Sequence, residues 1–230
     1  MKVSELFYAL QGEGPFIGTP AIFIRLAGCN LHCKWCDTLD VWCKGNEMST
    51  KELTTAVLGL IDNEASLLNS QRVHIVITGG EPLLHEVSIV ELLASIRAVA
   101  PLTFFELETN GTLAPSVIYQ FNHINCSPKL ANSAENMDKR VVHYALSRLQ
   151  KHPSVCFKFV VGSEYDWQEI QKDYSRWINL EEAAVYLMPM ATTTKELVEN
   201  SKLVWELAEK HKVKVTTRLQ TLTWGNLRGK

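Results

Sequence analysis

The sequence predicts an α/β fold, an incomplete barrel of mostly parallel strands with helices outside. Three observations predict it. Short, continuously apolar runs alternate with stretches of helical periodicity, the pattern of strands buried on both faces and joined by helical crossovers. The chain has 230 residues, slightly short of the ~250 of a full eight-fold barrel of the TIM type. Chemically loaded loops follow successive strands, as they do on the carboxyl rim of such sheets.

The elements follow in order. Strand Ala21–Leu26 leads into Gly28–Cys29, and helix Thr50–Leu68 places Leu53, Val57, Leu58, Leu60 and Ile61 on one face. Strand Val73–Thr78 leads into Gly79-Gly80-Glu81, followed by helix Val87–Ala100. Strand Thr103–Glu108 leads into Thr109-Asn110-Gly111, and a helix is expected over Pro115–Phe121. Strand Ile124–Ser127 opens onto Pro128-Lys129. The polar, aperiodic stretch Asn132–Arg140 reads as an extended or mobile loop. Helices Lys139–Lys151, Trp167–Trp177 and Thr193–Lys210 then alternate with strands Val155–Val161, Ala184–Met188 and Val213–Arg218. In the last helix Leu197, Val198, Leu203 and Leu207 form the apolar face. No Pro/Gly/Ser-rich linker or internal repeat divides the chain, so residues 1–230 read as one domain.

Composition narrows the function classes. A chain of this length buries about 70% of its unfolded surface and needs no disulfides for a core. It is 46% hydrophobic and 21% charged, with a net charge of −2, which gives no basic footprint for nucleic acid or anionic membranes. No run approaches the ~18 apolar residues of a membrane span. The opening MKVSELFYALQGEG lacks a secretory leader's charge and apolar run. A cytoplasmic setting is expected, where thiols stay reduced. Six cysteines there point to a metal site more than to disulfides.

Their positions sharpen this. Cys29, Cys33, Cys36 and Cys43 crowd together, whereas Cys126 and Cys156 lie in apolar strand-like runs and read as small core residues. Cys29-x₃-Cys33-x₂-Cys36 sits in a polar loop with His32, Lys34 and Asp37. Thiolates select zinc, copper(I) or iron–sulfur. Three of them can hold three corners of a cubane and leave the fourth iron open. A closed zinc site would want a fourth ligand, which Cys43 or His32 could supply. Six further histidines, from His74 to His211, show no metal-ligand spacing and read as structural or surface residues.

With Trp35 before its last cysteine, the loop resembles the signature of the radical S-adenosylmethionine (SAM) superfamily, and Gly79-Gly80-Glu81-Pro82 is similar to its second motif. One family is resembled more closely, the 7-carboxy-7-deazaguanine synthases. The shared features are Phe7–Pro15, Arg25, Cys36-Asp37-Thr38, Ile77–Pro82, Glu108–Thr112 and Ser127-Pro128-Lys129, spanning about residues 5–132. The resemblance implies a [4Fe–4S] cluster on Cys29, Cys33 and Cys36, SAM and Mg²⁺. The implied reaction is a radical ring contraction of 6-carboxy-5,6,7,8-tetrahydropterin to 7-carboxy-7-deazaguanine with loss of ammonia, serving queuosine-type deazapurine biosynthesis. It also implies a shortened barrel, a homodimer and a one-electron reductant protein of flavodoxin or ferredoxin type.

By the same resemblance, Trp35, Cys36, Asp37, Gly80, Glu108, Ser127, Pro128 and Lys129 face SAM. Leu10, Gln11, Gly12, Arg25 and Thr78 face the substrate, and Thr38 contacts magnesium. Plainer readings stand beside these. Gly79-Gly80 could be a simple turn, Glu108 a helix cap and Lys129 a solvated side chain. Arg25 could form an internal ion pair, with Glu13 as a candidate partner, and Asp37 could serve magnesium in place of Thr38. Met188-Pro189-Met190 could line an adenine pocket or pack in the core. The basic ending Trp224–Lys230 departs from the family pattern and receives no role. Two rival functions remain: a radical SAM activase that installs a glycyl radical on a partner protein, and a zinc-stabilised binding module.

Overall fold

The computed structural model describes residues 1–225 and 227–229. Nine strands form one sheet in the order β3-β1-β2-β4-β5-β6-β7-β8-β9. The strands are β1 Lys2–Leu10, β2 Pro20–Leu26, β3 Asn46–Glu47, β4 His74–Gly79, β5 Phe105–Thr109, β6 His123–Cys126, β7 Val155–Val161, β8 Ala184–Pro189 and β9 Lys214–Val215. From β2 across to β9 neighbouring strands run parallel, while β1 pairs antiparallel with both β2 and β3. The sheet's two end strands, β3 and β9, do not pair with each other, so the barrel is incomplete, as the sequence predicts.

The helices are α1 Leu39–Trp42, α2 Thr50–Gly59, α3 Ser66–Asn69, α4 Glu86–Val99, α5 Met137–Arg140, α6 His143–Leu149, α7 Glu164–Glu169, α8 Thr194–His211 and α9 Leu219–Trp224. Reciprocal capping boxes start three of them: Ser49 with Glu52, Ser163 with Asp166 and Thr193 with Glu196. None of the described helices is long and apolar enough to cross a membrane.

The side-chain period of two sorts the strands into two faces. One set, including Ile24, Ile77, Leu107, Ile124, Phe157, Phe159 and Leu187, joins Leu53, Leu92, Leu93, Leu146 and Val204 of the helices in the main core. The other set faces the barrel interior. There Phe7 and Ala9 pack on Ala21, Phe23 and Val76, beside the polar Thr78, Glu108, Asn125 and Lys158. At the amino end of the strands Phe16 closes the interior edge-on against His74, Phe104 and His123.

Several expected elements differ. Strand β1 was not anticipated, because its residues read as motif carriers. The helix expected over Thr50–Leu68 breaks after Gly59, where Asp62 and Asn63 adopt φ of 51° and 62°; short polar side chains tolerate this left-handed conformation. Pro115–Phe121 contains a 3₁₀ turn over Ser116–Gln120, and Lys139–Lys151 divides between α5 and α6. The helix expected over Trp167–Trp177 starts earlier, at the Ser163 cap, and runs into a π turn over Ile170–Tyr174. The stretch Asn132–Arg140 is tied down. Asn132 Nδ2 donates to Val160 O (2.9 Å) and Asp166 Oδ1 (3.0 Å), and the buried Arg140 pairs with Glu169.

Candidate active site

A cavity of about 220 Å³ opens among the strand-end loops. The cysteine loop enters it through Gly28, whose φ of +89° suits a residue without Cβ. Neighbouring segments hold that loop. Glu81 N donates to Gly28 O (2.9 Å), and Asn30 bonds to Thr112 and Asn110. Lys34 N donates to Ser133 O (2.8 Å), and Trp35 Nε1 donates to Asn132 Oδ1 (3.1 Å). Cys29, Cys33 and Cys36 all line the cavity, and none is in a disulfide.

The glycine loop after β4 is a close-approach site. A Cβ on Gly80 would lie 2.3 Å from Gly28 O and 2.6 Å from Cys29 Cβ, so only glycine lets this backbone reach the cysteine loop. Buried Glu81 braces the turn, accepting from Leu83 N, Asn110 N and the Thr109 hydroxyl. Burial pushes its carboxyl up to about 7 against those donors.

The remaining expected residues converge on the same cavity. Leu10, Gln11, Gly12, Arg25, Trp35, Asp37, Thr38, Thr78, Gly80, Glu108, Ser127 and Lys129 all line it. Pro128 is buried but is not among the lining residues. Glu108 caps no helix: it is the penultimate residue of β5 and accepts from Thr78 Oγ1 (2.9 Å) and Gln11 Nε2 (3.3 Å). Lys129 is not a solvated lysine. It donates to Ser127 O (2.8 Å) and Oγ (3.0 Å) and lies 5.7 Å from the Trp35 ring centre. The ion-pair partner of Arg25 is Glu5 across the β1–β2 ladder, at 2.8 Å, and not Glu13. Met188 lines the cavity.

Among the lining residues given no role by the sequence are four polar ones: Asn125, Lys158, Arg218 and Gln220. They come from β6, β7 and the start of α9, so no contiguous motif marks them. Lys158 and Arg218 enclose Glu13, through a Lys158–Glu13 Oε2 bond and an Arg218 Nε–Glu13 Oε1 separation of 3.5 Å. Burial alone would raise the Glu13 carboxyl, but the Lys158 and Arg218 charges outweigh it and hold it at about 2. The C-terminal segment also reaches the cysteine loop, where Arg228 Nη2 donates to Asp37 O and Asp40 Oδ1, both at 2.7 Å.

The model of the radical SAM superfamily matches residues 23–175. The 7-carboxy-7-deazaguanine synthase of Pyrobaculum aerophilum is 35% identical, with 100% of this chain and 97% of that protein covered. The synthase of Halobacterium salinarum is 33% identical, with 98% and 91% covered. The chain belongs to the 7-carboxy-7-deazaguanine synthase family. Among solved structures, QueE from Escherichia coli superposes with a TM-score of 0.70 at 26% identity, covering 95% of this chain and 93% of its own. TYW1 shares the fold alone, at 16% identity and a TM-score of 0.52.

As a member of the radical SAM superfamily, this synthase-family chain uses a [4Fe–4S] cluster and SAM. Its donor set fits them. Burial pushes the Cys29 thiol up to about 11 and raises Cys33 as well, so these thiols stay protonated until a metal takes them as thiolates. The fourth ligands that zinc would recruit are elsewhere engaged. Cys43 is exposed, 3.6 Å from Asp40 O, and the His32 ring stands edge-on to Trp42.

Proposed function

We propose that this chain converts 6-carboxy-5,6,7,8-tetrahydropterin to 7-carboxy-7-deazaguanine with loss of ammonia, as a radical SAM synthase of queuosine-type deazapurine biosynthesis. The observation that carries the reading is the convergence of the three motif cysteines with Leu10–Gly12, Arg25, Thr78, Glu108 and Lys129 on one cavity, in a chain matched end to end by curated synthases.

When bound to Cys29, Cys33 and Cys36, the cluster together with SAM supplies the hydrogen-abstracting radical. The chain's own residues do the holding. Trp35, Asp37, Gly80, Glu108, Ser127 and Lys129 line the cavity together with the cysteines and would seat SAM. Pro128, named with them by the family motif, would act only by shaping the Ser127–Lys129 turn. Gln11 is fixed in orientation, its Nε2 donating to Glu106 and Glu108 and its Oε1 accepting from Glu13 N, so the Leu10–Gly12 backbone is set before substrate arrives. Arg25 offers a guanidinium to the substrate carboxylate. Thr38, whose hydroxyl lies 3.7 Å from Cys36 Sγ, would give Mg²⁺ one oxygen, the remainder coming from substrate and water.

The same reading includes a flavodoxin- or ferredoxin-type reductant, a homodimer and a cytoplasmic setting, consistent with six free cysteines. It also treats residues 1–230 as one catalytic unit. The test is anaerobic turnover with authentic pterin, Mg²⁺, SAM and reductant, with Cys33→Ala as control. Ring-contracted product with SAM conserved is expected. SAM consumed without product would instead favour the activase reading.

A further inference from the structure

The proposed reaction leaves part of the cavity wall without an assignment. Among the described residues, Arg218 Nε and Gln220 Oε1 are buried and make no hydrogen bond, and both side chains line the cavity. Two of their other polar atoms have partners. Arg218 Nη1 donates to Ala191 O at 2.7 Å, and Gln220 Nε2 donates to Glu13 Oε1 at 3.1 Å. Orphaned buried polar atoms are rare and costly unless something completes them.

Glu13 lies between the two. Its Oε2 is taken by Lys158, which leaves Oε1, 3.5 Å from Arg218 Nε and bonded to the Gln220 amide. The wall therefore presents a row of a donor, a carboxylate oxygen and an amide oxygen. With Glu13 held ionised by its two cations, the central position accepts only.

We propose that Arg218, Glu13 and Gln220 read the 2-amino-4-oxopyrimidine edge of the substrate: Arg218 Nε–H to the 4-oxo oxygen, the ring N3–H to Glu13 Oε1, and the 2-amino N–H to Gln220 Oε1. This rests on the pterin reading of the site. The opposite character of the two orphans selects the ligand. A carboxylate or phosphate offers only acceptors and would face two further acceptors, whereas an ammonium would meet the Arg218 charge. That charge is already balanced by Asp37 Oδ2 (3.4 Å) and Glu13, so Arg218 acts as a directional donor. Adenine also sets a donor beside an acceptor, but the row is built against the substrate segment. Leu219 N donates to Gly12 O (3.0 Å), and a Cβ on Gly12 would come within 1.8 Å of Gln220 Oε1.

The test is a cycle between residue and ligand group. On the cluster-loaded enzyme with SAM, calorimetry measures binding of 7-carboxy-7-deazaguanine and of its 2-desamino analogue, to wild type and to Gln220→Leu. Wild type is expected to prefer the amino compound by roughly 10- to 100-fold. In Gln220→Leu that preference should fall to about threefold or less, with SAM affinity within about twofold of wild type. An unchanged preference in the variant overturns the assignment. So does a fall in SAM affinity matching the fall for the amino compound, which would mark Gln220 as a cofactor contact or a fold support. Arg218→Met, read against an analogue lacking the 4-oxo group, gives the same comparison at the other end of the row. If wild type binds neither compound, the pterin reading itself fails, a result distinct from binding without the predicted preference.

Discussion

Substituting Lys158 by Met would leave the Glu13 carboxylate buried beside a single cation. The drop in the Glu13 pKa from its ordinary 4.5 to about 2 is worth about 3 kcal/mol at ~1.4 kcal/mol per tenfold change. Lys158 is the largest favourable contributor to that drop. Breaking a buried pair from one side costs about 3–5 kcal/mol, because the surviving charge is stranded. Lys158→Met should therefore destabilise the fold by about 3 kcal/mol, and Glu13→Gln by a comparable amount, since Lys158 is only 8% exposed. The double variant strands neither charge and should recover at least about 2 kcal/mol of the summed loss. Urea unfolding of the iron-free chain, followed by tryptophan fluorescence, reads all four species without cluster loss entering the transition, and unchanged m-values license the comparison. Losses additive to within about 0.5 kcal/mol would refute the reasoning, because independent sites behave that way.

Three further outcomes follow from the same geometry. Gly80→Ala forces a Cβ against Gly28 O and Cys29 Cβ, so the cysteine loop must shift; iron bound per chain after anaerobic reconstitution should fall several-fold, and wild-type iron content would contradict the close-approach argument. Glu13's folded pKa lies below its unfolded one, so its stabilisation is fully present above about pH 4.5 and is lost as pH falls toward 2; an acid-unfolding series should show a limb there that Glu13→Gln lacks. Cys43→Ser should retain wild-type iron, since Cys43 is exposed and outside the cavity lining, while Cys33→Ala should lose it.

How much of this was legible depended on whether a function was written contiguously. Cys29–Thr38, Gly79–Pro82, Glu108–Thr112 and Ser127–Lys129 each pack several site residues into one strand-end loop, so a reader of the sequence meets them as units. Asn125, Lys158 and the neighbouring pair Arg218 and Gln220 lie on three elements far apart in the chain. A weaker signal did exist. Lys158 interrupts the apolar run Val155–Val161, and Asn125 interrupts Ile124–Cys126. At a period of two these polar positions mark an interior face that is not wholly apolar. Arg25 shows the opposite difficulty. Its need for a carboxylate partner was evident, but the choice of Glu5 over Glu13 depends on the β1–β2 register, in which Glu5 lies directly opposite Arg25.

The unpaired seam of the sheet explains why Arg218 and Gln220 lie where they do. A closed barrel would commit the backbone at both edge strands to ladder hydrogen bonds. Here the turn after β1 and the segment after β9 meet through isolated bonds instead, Gly14 N to Thr216 Oγ1 at 2.8 Å and Leu219 N to Gly12 O at 3.0 Å. Side chains on both segments are then free to turn inward, which brings Glu13 from one end of the chain against Arg218 and Gln220 from the other. Strand pairing given up at this edge becomes cavity wall.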